Sequence, residues 1–304
     1  MRTHTIAALT LMTVTLAMTA CSGADAAGLD KQAIAKAADA EVQTKGEVLR
    51  IGWMRDDVPV EVDGAPLPAA AGLGSWAAFK PVAEGDGAIV MGDTVVFQDE
   101  VDAAMDAAFA NGLKVTALHN HFFYDRPKAY FMHIGGRGPA PKLAAGVKAV
   151  WDAIKQVRAE NPEPAKTFPG GAPARGGDID ANLIADITGL EPSEKPGGVV
   201  KVSTGRKGRM GETAIGGSMG LGTWAAFAGN MKSASVDGDF IMTADEVQPV
   251  LKALRDADFH VVALHNHMIG EQPAFYFTHY WAKGPVEQLA KGFKAVLEAQ
   301  ANAH

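Results

Sequence analysis

The chain has 304 residues, of which 47% are hydrophobic and 21% charged, with a formal net charge of −7 and one cysteine. That composition excludes a disordered chain and a disulfide-stapled miniprotein, and its acidity argues against a nucleic-acid or anionic-lipid surface. The length suits two domains of ordinary size.

Residues 1–20 read as a targeting segment. Arg2 supplies a positive start, and residues 6–17 form an apolar run too short for a comfortable membrane span. The run ends at Met18-Thr19-Ala20-Cys21, which has the form of a bacterial lipobox with Met at its first position. The sole cysteine, Cys21, is therefore expected to carry a lipid anchor after cleavage. Ordinary cleavage after Ala24-Asp25-Ala26 is the alternative. Loss of the leader removes one Arg and no acid, taking the net charge from −7 to −8. The expected location is the periplasm or the outer face of the envelope, with the membrane engaged only through the anchor.

The remainder is written twice. Gly72-Leu73-Gly74-Ser75-Trp76-Ala77-Ala78-Phe79 returns as Gly220-Leu221-Gly222-Thr223-Trp224-Ala225-Ala226-Phe227, and Ala117-Leu118-His119-Asn120-His121 returns as Ala263-Leu264-His265-Asn266-His267. Two copies at a period near 146 residues indicate a duplicated domain, not a solenoid. The copies are expected over 28–158 and 179–301, joined by a Pro/Gly/Ala-rich linker at 159–178.

In chain order, each copy opens with a short helix (31–38; 181–188) and a strand (48–51; 199–202). The Trp-Ala-Ala-Phe segment follows as a further strand. Residues 88–97 are predicted to be a hairpin turning near Gly92-Asp93, as Asp237-Gly238 suggests in the second copy. Val101, Ala104, Met105, Ala108 and Phe109 then recur at helical spacing, ending at Asn111-Gly112. In the second copy Thr243 and Glu246 resemble a capping box, yet Pro249 would then lie inside the helix, so a start one turn later is expected. Strands at 115–121 and 261–267 come next. A closing helix on Leu143, Val147, Val150, Trp151 and Ile154, or on Leu289, Phe293, Val296 and Leu297, ends each copy. Hairpins interleaved with two helices on one face predict an α+β fold, as two tandem copies related by a pseudo-two-fold axis.

Six of the nine histidines fall in one pattern: His-x-His, three residues, an acid, one residue, Pro, five residues, His. Residues i and i+2 share a strand face, so His119 pairs with His121 and His265 with His267. A return strand would bring His133 or His279 beside them if the register puts that ring on the same face. Three convergent imidazoles would bind a divalent ion, zinc first. Packing histidines inherited by duplication are the alternative. Asp125 and Glu271, in the intervening loops, are candidate general bases or fourth ligands, or else solvated turn acids. Alternation puts Tyr130 and Tyr276 on the opposite face, where packing is expected. Asp99-Glu100 and Asp245-Glu246 suit helix starts, and Trp76 and Trp224 suit a core. No nucleotide loop or Cys-His pair is present.

With its paired ALHNH strings, LGSWAAF and LGTWAAF segments and GD-x5-DEV strings, the chain resembles the LppY/LpqO family of bacterial lipoproteins over about residues 28–299. The resemblance implies export and a duplicated domain without an assigned substrate. It also implies a further histidine pair after His133, at positions held here by Gly135 and Arg137. In ligand spacing alone the chain is similar to acetolactate decarboxylase, which implies zinc. Two functions follow as expectations: a metal-dependent lyase or hydrolase acting on a small molecule, or a non-catalytic periplasmic protein binding metal or ligand.

Overall fold

Each repeat starts with a capped helix. The Asp30 carboxylate accepts the Ala33 N–H at 2.9 Å and that of Asp180 accepts the Asn182 N–H at 3.0 Å, satisfying donors that a first turn leaves unpaired. The computed structural model describes residues 28–83 and 87–303; residues 1–20, where a targeting segment is expected, and Cys21 lie outside them. In the first repeat the order is α1 (Lys31–Ala38), β1 (Gln43–Lys45), β2 (Val48–Met54), β3 (Val60–Val62), β4 (Ala65–Leu67), β5 (Gly74–Pro81), β6 (Ala88–Phe97), α2 (Val101–Ala110), β7 (Lys114–Asn120), β8 (Asp125–Arg126), β9 (Ala129–Gly138) and α3 (Ala140–Glu160). The second repeats it with α4 (Ala181–Thr188), β10 (Pro192–Lys195), β11 (Val199–Gly205), β12 (Gly208–Met210), β13 (Thr213–Ile215), β14 (Gly222–Asn230), β15 (Ser233–Met242), α5 (Val247–Asp256), β16 (His260–His265), β17 (Glu271–Gln272), β18 (Tyr276–Gly284) and α6 (Val286–Ala301). The α+β class and the tandem duplication are as expected.

The repeats join edge to edge. One antiparallel sheet runs β1-β2-β5-β6-β9-β7-β16-β18-β15-β14-β11-β10, a palindromic order centred on β7 and β16, where Leu118 faces Leu264. Helices from both repeats reach across this seam. The Gln248 amide on α5 donates to the Val115 carbonyl oxygen at 2.7 Å and accepts the Val115 N–H at 3.0 Å. Arg255 pairs with Asp102 at 3.0 Å and with Asp106 at 2.9 Å on α2. The main core lies between helices and sheet, where Leu118, Met132, Ile134, Leu264, Phe240 and Tyr280 are buried with the inner residues of the helices. On the other sheet face, two small three-stranded sheets, β4-β3-β8 and β13-β12-β17, cover satellite cores around Phe97 and Phe131 and around Ile241 and Phe277.

Two local expectations change, and the later start of α5 is as expected. The predicted hairpin over 88–97 is one continuous strand, and so is 233–242. Gly92 and Gly238 serve close packing there, not a turn. A Cβ on Gly92 would lie 2.9 Å from the Trp76 carbonyl oxygen, and one on Gly238 would overlap the Tyr280 hydroxyl. That hydroxyl donates to the Trp224 carbonyl oxygen at 3.0 Å. Gly238→Ala is therefore expected to destabilise the protein by about 1–3 kcal/mol through overpacking, read from chemical denaturation. Trp76 and Trp224 are half-buried outside the main core, beneath cations: Arg50 lies 4.3 Å and Lys201 3.8 Å from the ring centroids. In the capping-box segment, Glu246 accepts the Thr243 N–H at 2.8 Å, yet α5 begins at Val247. Pro249 therefore sits in the first turn, where its missing N–H breaks no helical bond.

Candidate metal centre

A bulge sets the register of the histidines. In β7 the pairing with β9 shifts between Val115 and Ala117, and in β16 the pairing with β18 shifts between Val261 and Ala263. Val115 and Leu118 can thus both face the helices, as can Val261 and Leu264, while His119 and His265 face the other way. Ala117 lies opposite His133 and Ala263 opposite His279, so the third ring of each pattern falls on the face of the other two. Because Leu118 pairs with Leu264, His119 and His265 are also diagonal neighbours across the seam, with Cα atoms on the order of 7–8 Å apart. Both histidine sets thus share one side of the sheet.

In the first repeat His119 lies between His121 and His133, with ring centroids 5.3 and 5.1 Å away. The Nε2 atoms of His119 and His133 are 3.0 Å apart, and His119 Nδ1 lies 3.3 Å from the Asn120 carbonyl oxygen. His121 stacks on Phe131 with centroids 3.2 Å apart and planes at 6°. The second repeat reproduces this. His265 lies 5.2 Å from His267 and 4.9 Å from His279, and His267 stacks on Phe277 at 3.4 Å. His279 Nδ1 is 3.2 Å from the Gly238 carbonyl oxygen, and His265 Nδ1 is 3.4 Å from that of Asn266. A ring that gives its Nδ1–H to a carbonyl leaves Nε2 as the free lone pair, the tautomer a metal ligand needs.

The acids beside the rings are Asp93 and Asp239, which the sequence pattern did not single out. Asp93 lies opposite His133 and Asp239 opposite His279. Asp93 Oδ1 is 3.9 Å from His133 Nε2, and Asp239 Oδ2 is 3.4 Å from His267 Nε2. One ligand atom each from Asp239, His265 and His267 fall within 4.8 Å of one another. His265 Nε2 and the Oδ1 atoms of Asp93 and Asp239 are buried without a hydrogen-bond partner. Burial pushes the Asp239 carboxyl up to about 6 against the pull of His279. Burial also holds His121, His265 and His267 below the ordinary imidazole value. Among the described residues, Asp239, His265 and His267 form a cluster that could hold a metal ion, and the first repeat places Asp93 beside His133 in the corresponding way.

Asp125 and Glu271, expected to reach over the rings, do other work. Both are buried. Asp125 accepts the Ala129 N–H at 2.7 Å and Glu271 accepts the Phe275 N–H at 2.8 Å, closing the loop into the return strand. They are placed by β8 pairing with β3 and β17 with β12. Asn120 and Asn266 also close this loop, donating to the Phe122 and Met268 carbonyl oxygens at 2.8 Å. Tyr130 packs against the helix-side core, as alternation predicts, and Tyr276 is partly exposed. Glu100 and Glu246 are structural, bound to Arg55 and Arg206. The GD pairs held the missed signal: an Asp following a Gly in the middle of a strand, two strands from the His-x-His.

No curated protein matches the chain. Solved structures that align with it include EtuB from Clostridium kluyveri, at 10% identity over 85% of this chain and 88% of that one, with a TM-score of 0.21. A trimeric bacterial microcompartment shell protein, PduB, aligns at 10% identity over 84% and 87%, with a TM-score of 0.19. The double ringed trimeric shell protein MSM0271 from the RMM microcompartment aligns at 13% over 73% and 84%, with a TM-score of 0.18. Scores this low carry no argument. A family match is extensive, however, and falls once on each repeat: the chain belongs to the family described as Domain of Unknown Function (DUF1259), matched over residues 32–153 and 182–299.

Proposed function

We propose that the protein is an exported, lipid-anchored metalloprotein holding one divalent cation per repeat, zinc first, and acting through it on a small molecule as a lyase or hydrolase. The observation that carries the metal reading is the pair of buried, unpartnered donors in the second repeat, His265 Nε2 and Asp239 Oδ1. Leaving such atoms without a partner costs free energy that a bound cation would recover. The ligands of the second site would be His265, His267, His279 and Asp239, and those of the first His119, His121, His133 and Asp93. A zinc ion there would supply a Lewis acid able to polarise a carbonyl.

The protein's own residues support that use. Phe131 and Phe277 form an apolar floor under His121 and His267, which fixes the ring planes and excludes water from beneath them. The carbonyl oxygens of Asn120, Gly238 and Asn266 orient His119, His279 and His265. Titrating chelator-stripped protein with zinc is expected to show two sites per chain. Zinc affinity at the second should fall as pH drops through about 6, because a proton then competes for Asp239. A single non-saturating phase with no pH dependence would defeat the proposal.

A second reading, metal binding without catalysis, is favoured by one observation. Asp125 and Glu271 are held by backbone N–H groups, so a role for either as general base requires the loop to open. Metabolite depletion by zinc-loaded but not stripped protein separates the two. The anchor rests on the lipobox string and on the resemblance of the chain's motifs to those of the LppY/LpqO lipoproteins. Cys21→Ser is expected to move the protein from the membrane fraction to the soluble one, and unchanged fractionation would remove the anchor.

A further inference from the structure

The two repeats agree at every ligand position and differ in the row beside it. In the second repeat Asp237 lies opposite Trp281, which lies opposite His260. In the first the same row reads Met91, Gly135 and Lys114. Asp237 and Trp281 are two residues along their strands from Asp239 and His279. They therefore share the metal-facing side, about 6–7 Å away.

A cavity of about 410 Å³ opens on this row, lined also by Tyr130 and by Phe168 of the connecting segment. That volume falls in the usual range for small-molecule sites. Its walls are held firmly. Phe168 lies face to face on His260, with centroids 3.6 Å apart and planes at 7°. His260 bonds to Asp102, which also takes Arg255 at 3.0 Å. Lys283 donates to the Phe168 carbonyl oxygen at 3.1 Å and also to that of Gly171, tying the connecting segment down over the sheet. The charge of Asp102 is therefore balanced within the protein, whereas Asp237 is in no salt bridge among the described residues, His279 and Lys201 acting on it only at longer range.

We propose that this cavity binds a small organic cation with an apolar body, an alkylamine or arylalkylamine, directly beside the second metal centre. Aromatic faces at Trp281, Tyr130 and Phe168 attract both the apolar body and the cationic charge, and the Asp237 carboxylate receives the ammonium group. A neutral aromatic would gain the stacking but not the ion pair, and an anion would be repelled. The first repeat, lacking the acid, the indole and the imidazole, has no equivalent. The asymmetry makes the second repeat the one that takes the ligand.

The test is calorimetric titration of the full chain with benzylamine, benzyl alcohol and benzoate, in stripped and zinc-loaded protein. Benzylamine should bind at one site per chain, about tenfold or more tighter than benzyl alcohol, with benzoate not binding. Asp237→Asn should remove that preference and Trp281→Ala should weaken both probes. Met91→Ala, in the corresponding row of the first repeat, should change neither. Equal binding of the amine and the alcohol, an unchanged Asp237→Asn variant, or no benzylamine binding would overturn the proposal. Zinc titration of the same samples keeps the two readings apart. Amine binding without zinc uptake sinks only the metal proposal, and zinc uptake without amine binding sinks only this one.

Discussion

Replacing Arg55 by alanine is expected to destabilise the protein by about 3–5 kcal/mol, more than the overpacking caused by Gly238→Ala. Arg55 and Glu100 are both fully buried. The guanidinium binds the Glu100 carboxylate with bonds of 2.8 and 2.9 Å, and donates to the Val95 carbonyl oxygen at 2.9 Å. Glu100 in turn accepts the Phe97 N–H at 2.8 Å. This bracket fixes the end of β6, the strand that carries Asp93, to the start of α2. Burial pushes the Glu100 carboxyl up despite the pull of Arg55 and of Arg158, whose Nε lies 2.7 Å away, so removing Arg55 would leave a buried acid with one of its two cations. The double change Arg55→Met with Glu100→Leu should recover part of the loss, because it removes the fully buried pair together, while Asp57 and Arg158 each lose a partner. Arg206 and Glu246 make the corresponding pair at 2.7 and 2.6 Å. Arg206 is partly exposed, so solvent screening makes Arg206→Ala the milder change. Urea denaturation of these variants checks the order. Equal effects of Arg55→Ala and Arg206→Ala would contradict it.

His265→Ala is expected to weaken zinc binding in the second repeat by more than about 100-fold, beyond the 10–100-fold typical of groups that only orient a ligand. His265 is the central ring of its set, within 5.2 Å of both other imidazoles, and its Nε2 is one of the buried donors without a partner. The first repeat should bind as before, since its donors come from β6, β7 and β9. The stripped variant should keep its stability to within about 1 kcal/mol, because the ring contributes little to the main core. Loss of binding together with loss of folding would make His265 a packing residue. Asp239→Asn supplies the finer comparison: it keeps the shape of the side chain and removes the charge.

Much of the fold and three of the four donors proposed for each site are legible in the chain. Repeated strings mark the duplication, the i, i+2 spacing puts each His-x-His on one face, and helical periodicity finds the closing helices. What stays hidden depends on pairing between distant strands. Asp93 and Asp239 join the histidines only because β6 lies beside β9 and β15 beside β18. The glycines preceding them, read locally, suggest turns, although Gly238 is there to admit the Tyr280 hydroxyl. The bulges in β7 and β16 that bring the third ring onto the ligand face leave no mark in composition. Nor does the edge-to-edge joining of β7 with β16, which brings both histidine sets to one side. Asp125 and Glu271 mislead for a related reason. Their spacing from the His-x-His suits a base above a metal, but it equally suits a carboxylate that closes the loop onto the return strand.

The most direct measurement is elemental analysis of protein purified without chelators after metal-replete expression, beside the variant carrying His121→Ala and His267→Ala. Two bound cations predict about two zinc ions per native chain and close to none in the folded variant. Fewer than about 0.1 ion per native chain, or the same content in both proteins, would mean that the six histidines are packing residues.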